Sequence, residues 1–173
     1  MKKVLSVLIF ITMIFIPLYS DSWSGGYRID VNGYSDAVHD SMEHLGFSLI
    51  HMPWLSDRGA VELYGKIELS NPLIQPVSAY VHGGVALSVL VMHDTPFDSL
   101  LIRDSSWRMK TDFSVGSPLS SLSSVVVQAK FSPFSLFFGD KVIAVASPVV
   151  TYETEGNSFG WGISLFELTH YLW

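Results

Sequence analysis

Hydrophobic and polar residues alternate with a period of two along most of the chain. The stretch SWRMKTDFSVG at 106–116 sets Trp107, Met109, Thr111, Phe113 and Val115 against Arg108, Lys110, Asp112, Ser114 and Gly116. Successive side chains of a strand point to opposite faces, so this period predicts a strand with one apolar and one charged face. Seven further segments read as strands: GYRIDVNGY (26–34), HLGFSLIHMPW (44–54), VELYGKIEL (61–69), VSAYVHGGVALSVLVM (77–92), SVVVQAKFS (124–132), LFFGDKVIAVASPVVTYE (136–153) and FGWGISLFELTHYLW (159–173). The segment 61–69 is the cleanest, with Val61, Leu63, Gly65, Ile67 and Leu69 opposed to Glu62, Tyr64, Lys66 and Glu68. Segment 136–153 is apolar on both sides, and its pattern assigns no faces. Turn formers punctuate the joints, among them Ser56-Asp57-Arg58-Gly59, Asn71-Pro72, Gly116-Ser117-Pro118 and Glu155-Gly156-Asn157. The link 93–106 is long and has room for a short extra element around Leu100 to Ile102. The expected fold is all-β: one closed, antiparallel, up-and-down barrel of about eight strands, with outward loops near 35–44, 70–76, 116–123 and 154–159.

Alternation does not say which face looks inward. A soluble calyx buries the apolar set and wets the polar one, and a transmembrane barrel does the reverse. Two features favour the reverse. The polar set is small and mixed in sign, with Arg28 near Asp30, Lys66 between Glu62 and Glu68, Arg108 and Lys110 beside Asp112, and Lys130. A narrow interior suits such a set, because buried charge survives only when compensated. The tryptophans Trp23, Trp54, Trp107, Trp161 and Trp173 fall at strand ends, where a bilayer places its aromatic belts.

Composition sharpens this picture. Charged residues are 15% of the chain, below the roughly 25% of soluble domains. The first twenty residues, MKKVLSVLIFITMIFIPLYS, join two lysines to an apolar run and small residues, which predicts a signal peptide over 1–20 and a single barrel domain over 21–173. Losing Lys2 and Lys3 with it moves the formal net charge from −6 to −8, which argues against nucleic acid as a partner. Elsewhere no apolar run is long enough to cross a bilayer as a helix, so strands would have to do so. The absence of cysteine removes any disulfide framework.

The chain stops on Trp173, with Tyr171 two residues before it. Here it resembles the small bacterial outer-membrane β-barrel proteins, whose last strand typically ends on an aromatic and is read by the barrel-assembly machinery. The resemblance implies an outer-membrane location, contact with outer-membrane lipid, and a role in envelope integrity, adhesion or loop display. It also implies an aromatic girdle of Trp23, Trp54, Trp107, Trp161, Tyr171 and Trp173. Ile163 and Leu165 fit the family's apolar alternation back from the end, whereas Glu167 and Thr169 break it. Glu167 falls on the lipid side near mid-bilayer unless a bulge around Leu165-Phe166 switches the face.

The candidate interior set is Arg28, Asp30, Glu62, Lys66, Glu68, His82, Arg108, Lys110, Asp112 and Lys130, with Tyr80 and Gln128. An eight-stranded barrel is only wide enough for such side chains to fill it, so a plugged scaffold is expected and no catalytic residue or cofactor. Two other readings are carried forward. A lipid-modifying barrel enzyme would use His39-Asp40-Ser41 with Glu43, the only local base-and-serine grouping, if the backbone presents both side chains together. A secreted lipocalin-like calyx would bind an apolar ligand among its valines and phenylalanines. The histidines at 39, 44, 51, 82, 93 and 170 form neither His-x-His nor His-Glu-x-x-His, so no metal site is expected.

Overall fold

The computed structural model describes residues 25–36, 42–70, 78–93, 95, 105–120 and 123–172. The expected signal peptide, Trp23, Trp173, the His39-Asp40-Ser41 grouping and the segment around Leu100 to Ile102 all lie outside these residues.

Eight strands form one closed antiparallel barrel: β1 (Gly25–Asp36), β2 (Met42–Ser56), β3 (Gly59–Ser70), β4 (Ser78–His93), β5 (Ser105–Pro118), β6 (Val126–Phe138), β7 (Lys141–Glu153) and β8 (Ser158–Leu172). Each strand pairs with its sequence neighbours, and β1 closes the ring on β8. Following cross-strand partners from Ala60 through Ser88, Lys110 and Ser132, across to Ser147, and on through Ser164, Asn32 and His44 returns to β3 at Ser70, ten positions from the start. A stagger of ten over eight strands tilts the strands by about 40° and sets a radius of about 8 Å.

The faces divide as the alternation requires. Phe47, Ile67, Phe113 and Val127 are about half exposed, while Lys66, Glu68 and Arg108 on the same strands are at most 9% exposed. The polar set points inward. Inside so narrow a barrel, large side chains sit beside glycine on the adjoining strand: Asp30 faces Gly46, Tyr64 faces Gly84, and His82 faces Gly116. A Cβ added at Gly84 would come within 2.6 Å of the Tyr64 ring, and one at Gly46 would collide with the Asp30 carboxylate. The small partner makes room for the large one.

One irregularity crosses the wall. Between Arg108 and Lys110 of β5, partner β6 runs from Ser135 to Ser132 and so carries an extra residue. Between Val31 and Asn32 of β1, partner β8 runs from Phe166 to Ser164 and carries another at Leu165. The β7 registers with both neighbours stay continuous, so β7 holds its own extra residue at the same height, where Ala146 adopts a φ of +51°. Pro133 has no N–H to give the ladder at this level, and its carbonyl accepts from Trp107 Nε1 at 2.7 Å. A one-residue bulge reverses the facing of everything beyond it. The inward series thus changes from Ser132 to Ser135 on β6, from Ala144 to Ser147 on β7, and from Ser164 to Glu167 on β8. The 136–153 segment looked apolar on both sides because its parity changes midway.

Left-handed backbone at a residue with a Cβ costs about 1 kcal/mol, so Ala146→Gly should leave stability unchanged or raise it by up to that amount. Ala144→Gly, in ordinary extended backbone, should lose roughly 0.5–1 kcal/mol. Urea unfolding of the two variants checks this; equal losses would remove the strain at Ala146.

Candidate functional site

The interior is organised around Arg28, delivered by the inward parity of β1. Its guanidinium pairs with Glu62 of β3, with Asp112 of β5 at 2.9 Å and with Glu167 of β8 at 3.2 Å, and lies 4.9 Å over the Tyr64 ring. Lys110 pairs with Glu167 at 2.9 Å and Glu62 at 3.1 Å. Lys130 of β6 reaches Glu167 and, at 3.7 Å, Asp112. Tyr171 donates its hydroxyl to Glu62 at 2.6 Å. Three cations and three carboxylates thus share one central ring, with every carboxylate serving at least two cations.

Toward the loop end, Lys66 pairs with Glu68, approaches Asp30 at 3.7 Å and donates to Gln128 at 3.1 Å. Gln128 donates in turn to Tyr34 at 2.6 Å, and His44 Nδ1 meets Glu68 at 2.7 Å. Toward the turn end, Arg108 stacks over Phe137 at 4.5 Å and has no carboxylate within ion-pair distance among the described residues. The ten buried Lys, Arg, Asp and Glu side chains divide evenly: Arg28, Lys66, Arg108, Lys110 and Lys130 against Asp30, Glu62, Glu68, Asp112 and Glu167.

Every residue of the expected interior set is found inside, His82 among them at 3% exposed. Glu167 was the misfit of the sequence reading and is central here. The bulge at Leu165 turns it inward, to 1% exposed, and brings Thr169 and Tyr171 with it. The same bulge corrects the expected girdle: Tyr171 is 3% exposed and bound to Glu62, so it belongs to the interior. The girdle tryptophans Trp54 and Trp161 do face outward, and Trp107 is half-buried against Phe134. Beyond the set, the sequence reading missed the links made by Asn32, Tyr34 and His44. Their signal was inward parity on the first two strands next to a carboxylate partner.

A cavity of about 170 Å³ lies at the loop end, above the Lys66 group, with Tyr34, His44, Glu68, Tyr80, His82 and Glu153 in its wall. Among the described residues no group of three or more His, Asp or Glu is placed to hold a metal. At the opposite rim, outside the barrel, Tyr27, His170 and Asp140 form a hydrogen-bonded chain: His170 meets Tyr27 at 3.0 Å and Asp140 at 2.6 Å, with Lys141 3.0 Å from Asp140. It fastens the β6–β7 turn to β8.

These features define a class, a closed eight-stranded antiparallel barrel with an ion-paired interior and an apolar outer wall. Compared with known proteins, the chain matches no family model, no curated protein and no solved structure at a significant level.

Removing one partner of a buried pair strands its neighbours, so Glu167→Ala should cost about 3–5 kcal/mol, and the double change Lys110→Met with Glu167→Leu should recover part of that loss. Denaturant unfolding followed by tryptophan fluorescence measures both, and a loss under about 1 kcal/mol for Glu167→Ala would mean the network is not ionised as drawn. Hydrogen bonds with Lys141 and His170 hold the Asp140 carboxyl below its ordinary value of 3.8. A depressed carboxyl contributes above the unfolded value and loses that contribution as pH falls through the lower folded one. The turn should therefore stay fastened from neutral pH to about 4 and loosen below. The Tyr171 amide, which donates to the Asp140 carbonyl, reports this by NMR, and Asp140→Asn should abolish the titration.

Proposed function

We propose that this chain is a small integral outer-membrane β-barrel with a structural, envelope-integrity or surface-interaction role that needs no catalysis. The observation that carries the reading is the division of charge. Between the strand ends, the described outer wall has no charged side chain, while ten acidic and basic side chains are buried within. A charge at mid-bilayer on the lipid face costs about 2–4 kcal/mol, so a lipid-facing wall must be free of it. The outward charges stand instead at turns and strand ends: Asp57, Arg58, Asp140, Lys141 and Glu155. A soluble calyx would need the opposite arrangement, with Ile67 and Phe113 inside.

Dimensions agree. The shortest strands have 12 residues, which at a 40° tilt rise about 30 Å, enough for the roughly 25 Å apolar band of such barrels. Trp54 and Trp107 near one end and Trp161 near the other suit the two interfaces. The ion pairs that cross the barrel at the level of Arg28 support a plugged scaffold over a diffusion pore. The partners in this reading are outer-membrane lipid and, through the last strand, the assembly machinery.

In cells the protein should fractionate with detergent-extracted outer membrane and shift its gel mobility on heating. Reconstituted in planar bilayers, it should pass no steady current. Recovery in the soluble fraction would remove the membrane reading, and a steady open conductance would remove the plugged interior.

A further inference from the structure

We propose that the loop-end cavity is a binding site for a small organic cation, an amine or a quaternary ammonium. The inference rests on the barrel interior and not on where the barrel resides. Four rings follow one another along the cavity wall: Tyr34 and His44 at 4.5 Å between centroids, His44 and Tyr80 at 6.1 Å, Tyr80 and His82 at 6.3 Å. Electron-rich ring faces attract a cation, most strongly where water is scarce. Two carboxylates, Glu68 and Glu153, share the wall with them, and no lysine or arginine does among the described residues.

Charge balance points the same way. The central ring is neutral, three cations against three carboxylates. The loop-end group is not: among the described residues Asp30, Glu68 and Glu153 stand against the single fixed cation Lys66, with the His44 ring on Glu68 and the Ser124 hydroxyl donating to Glu153. Lys66 is already committed to Glu68, Asp30 and Gln128 beneath the cavity.

A third observation concerns His82. It is 3% exposed and lines the cavity, and its Nδ1 is buried without a hydrogen-bond partner among the described residues. A buried polar group without a partner is uncommon and calls for an occupant. One imidazole nitrogen is an acceptor when the ring is neutral, and an ammonium N–H is the donor it lacks. The cavity's 170 Å³ holds a few waters or one small solute. Rings, excess carboxylate and a vacant acceptor together select a cation over an anion.

The full chain, refolded with or without detergent micelles and shown folded by its β-sheet circular dichroism, is titrated with putrescine and with tetramethylammonium, using glucose and acetate for comparison. The cations should bind saturably and move the Tyr34 and Tyr80 ring resonances, and binding should weaken with added salt. Tyr80→Leu and Glu153→Gln should each weaken it about tenfold. No saturable binding of either cation by the folded chain overturns the proposal, as does binding that leaves both tyrosines unmoved or glucose binding more tightly than putrescine. Failure of membrane fractionation would leave these outcomes unaffected, so the two readings fall separately.

Discussion

The structure depends on one constraint: ten acidic and basic side chains are enclosed in a barrel about 8 Å in radius, and nine of them are ion-paired there. A lone charge in such surroundings would be costly by several kcal/mol, and the solution is sharing. Glu167 serves Arg28, Lys110 and Lys130 at once, and Arg28 draws on β3, β5 and β8. These pairs span the barrel between strands far apart in sequence. They tie together walls that the backbone ladder joins only edge to edge.

The bulge across β6, β7 and β8 links this interior to the outer wall. Without it, Glu167 would face outward and the central ring would hold three cations against two carboxylates. With it, Phe166, Leu168 and Leu172 form the outward series of β8 instead. The strained backbone at Ala146 and the donorless Pro133 mark where the ladder yields, and Trp107 satisfies the Pro133 carbonyl at the β5–β6 side of the bulge. A local defect in hydrogen bonding thus accommodates a global balance of charge. That balance is uneven along the axis: among the described residues Arg108 stands without a carboxylate partner at the turn end, while acids exceed bases at the loop end.

Much of this was legible in the sequence. The alternation on 61–69 and 106–116 gave both faces of β3 and β5, because a regular strand has a fixed period and those strands are regular where their polar residues lie. The interior set from Arg28 to Lys130 followed from the same parity. Glu167 and Tyr171 were misplaced or left open because parity counted from the chain end is reversed by a single extra residue. The 136–153 segment defeated assignment for the same reason, and its mid-strand interior contributions, Val142, Ala144, Ser147 and Val149, carry no charge to betray them.

The sequence by itself determined the element type, a count of about eight strands and the polarity of each regular face, since these depend on side-chain order within about ten residues. Only the tertiary structure decided where parity reverses, which carboxylate serves which cation, and that the loop-end rings and acids surround one cavity. Those features arise from register and stagger between strands, and register is set by the whole closed ladder meeting at β1 and β8.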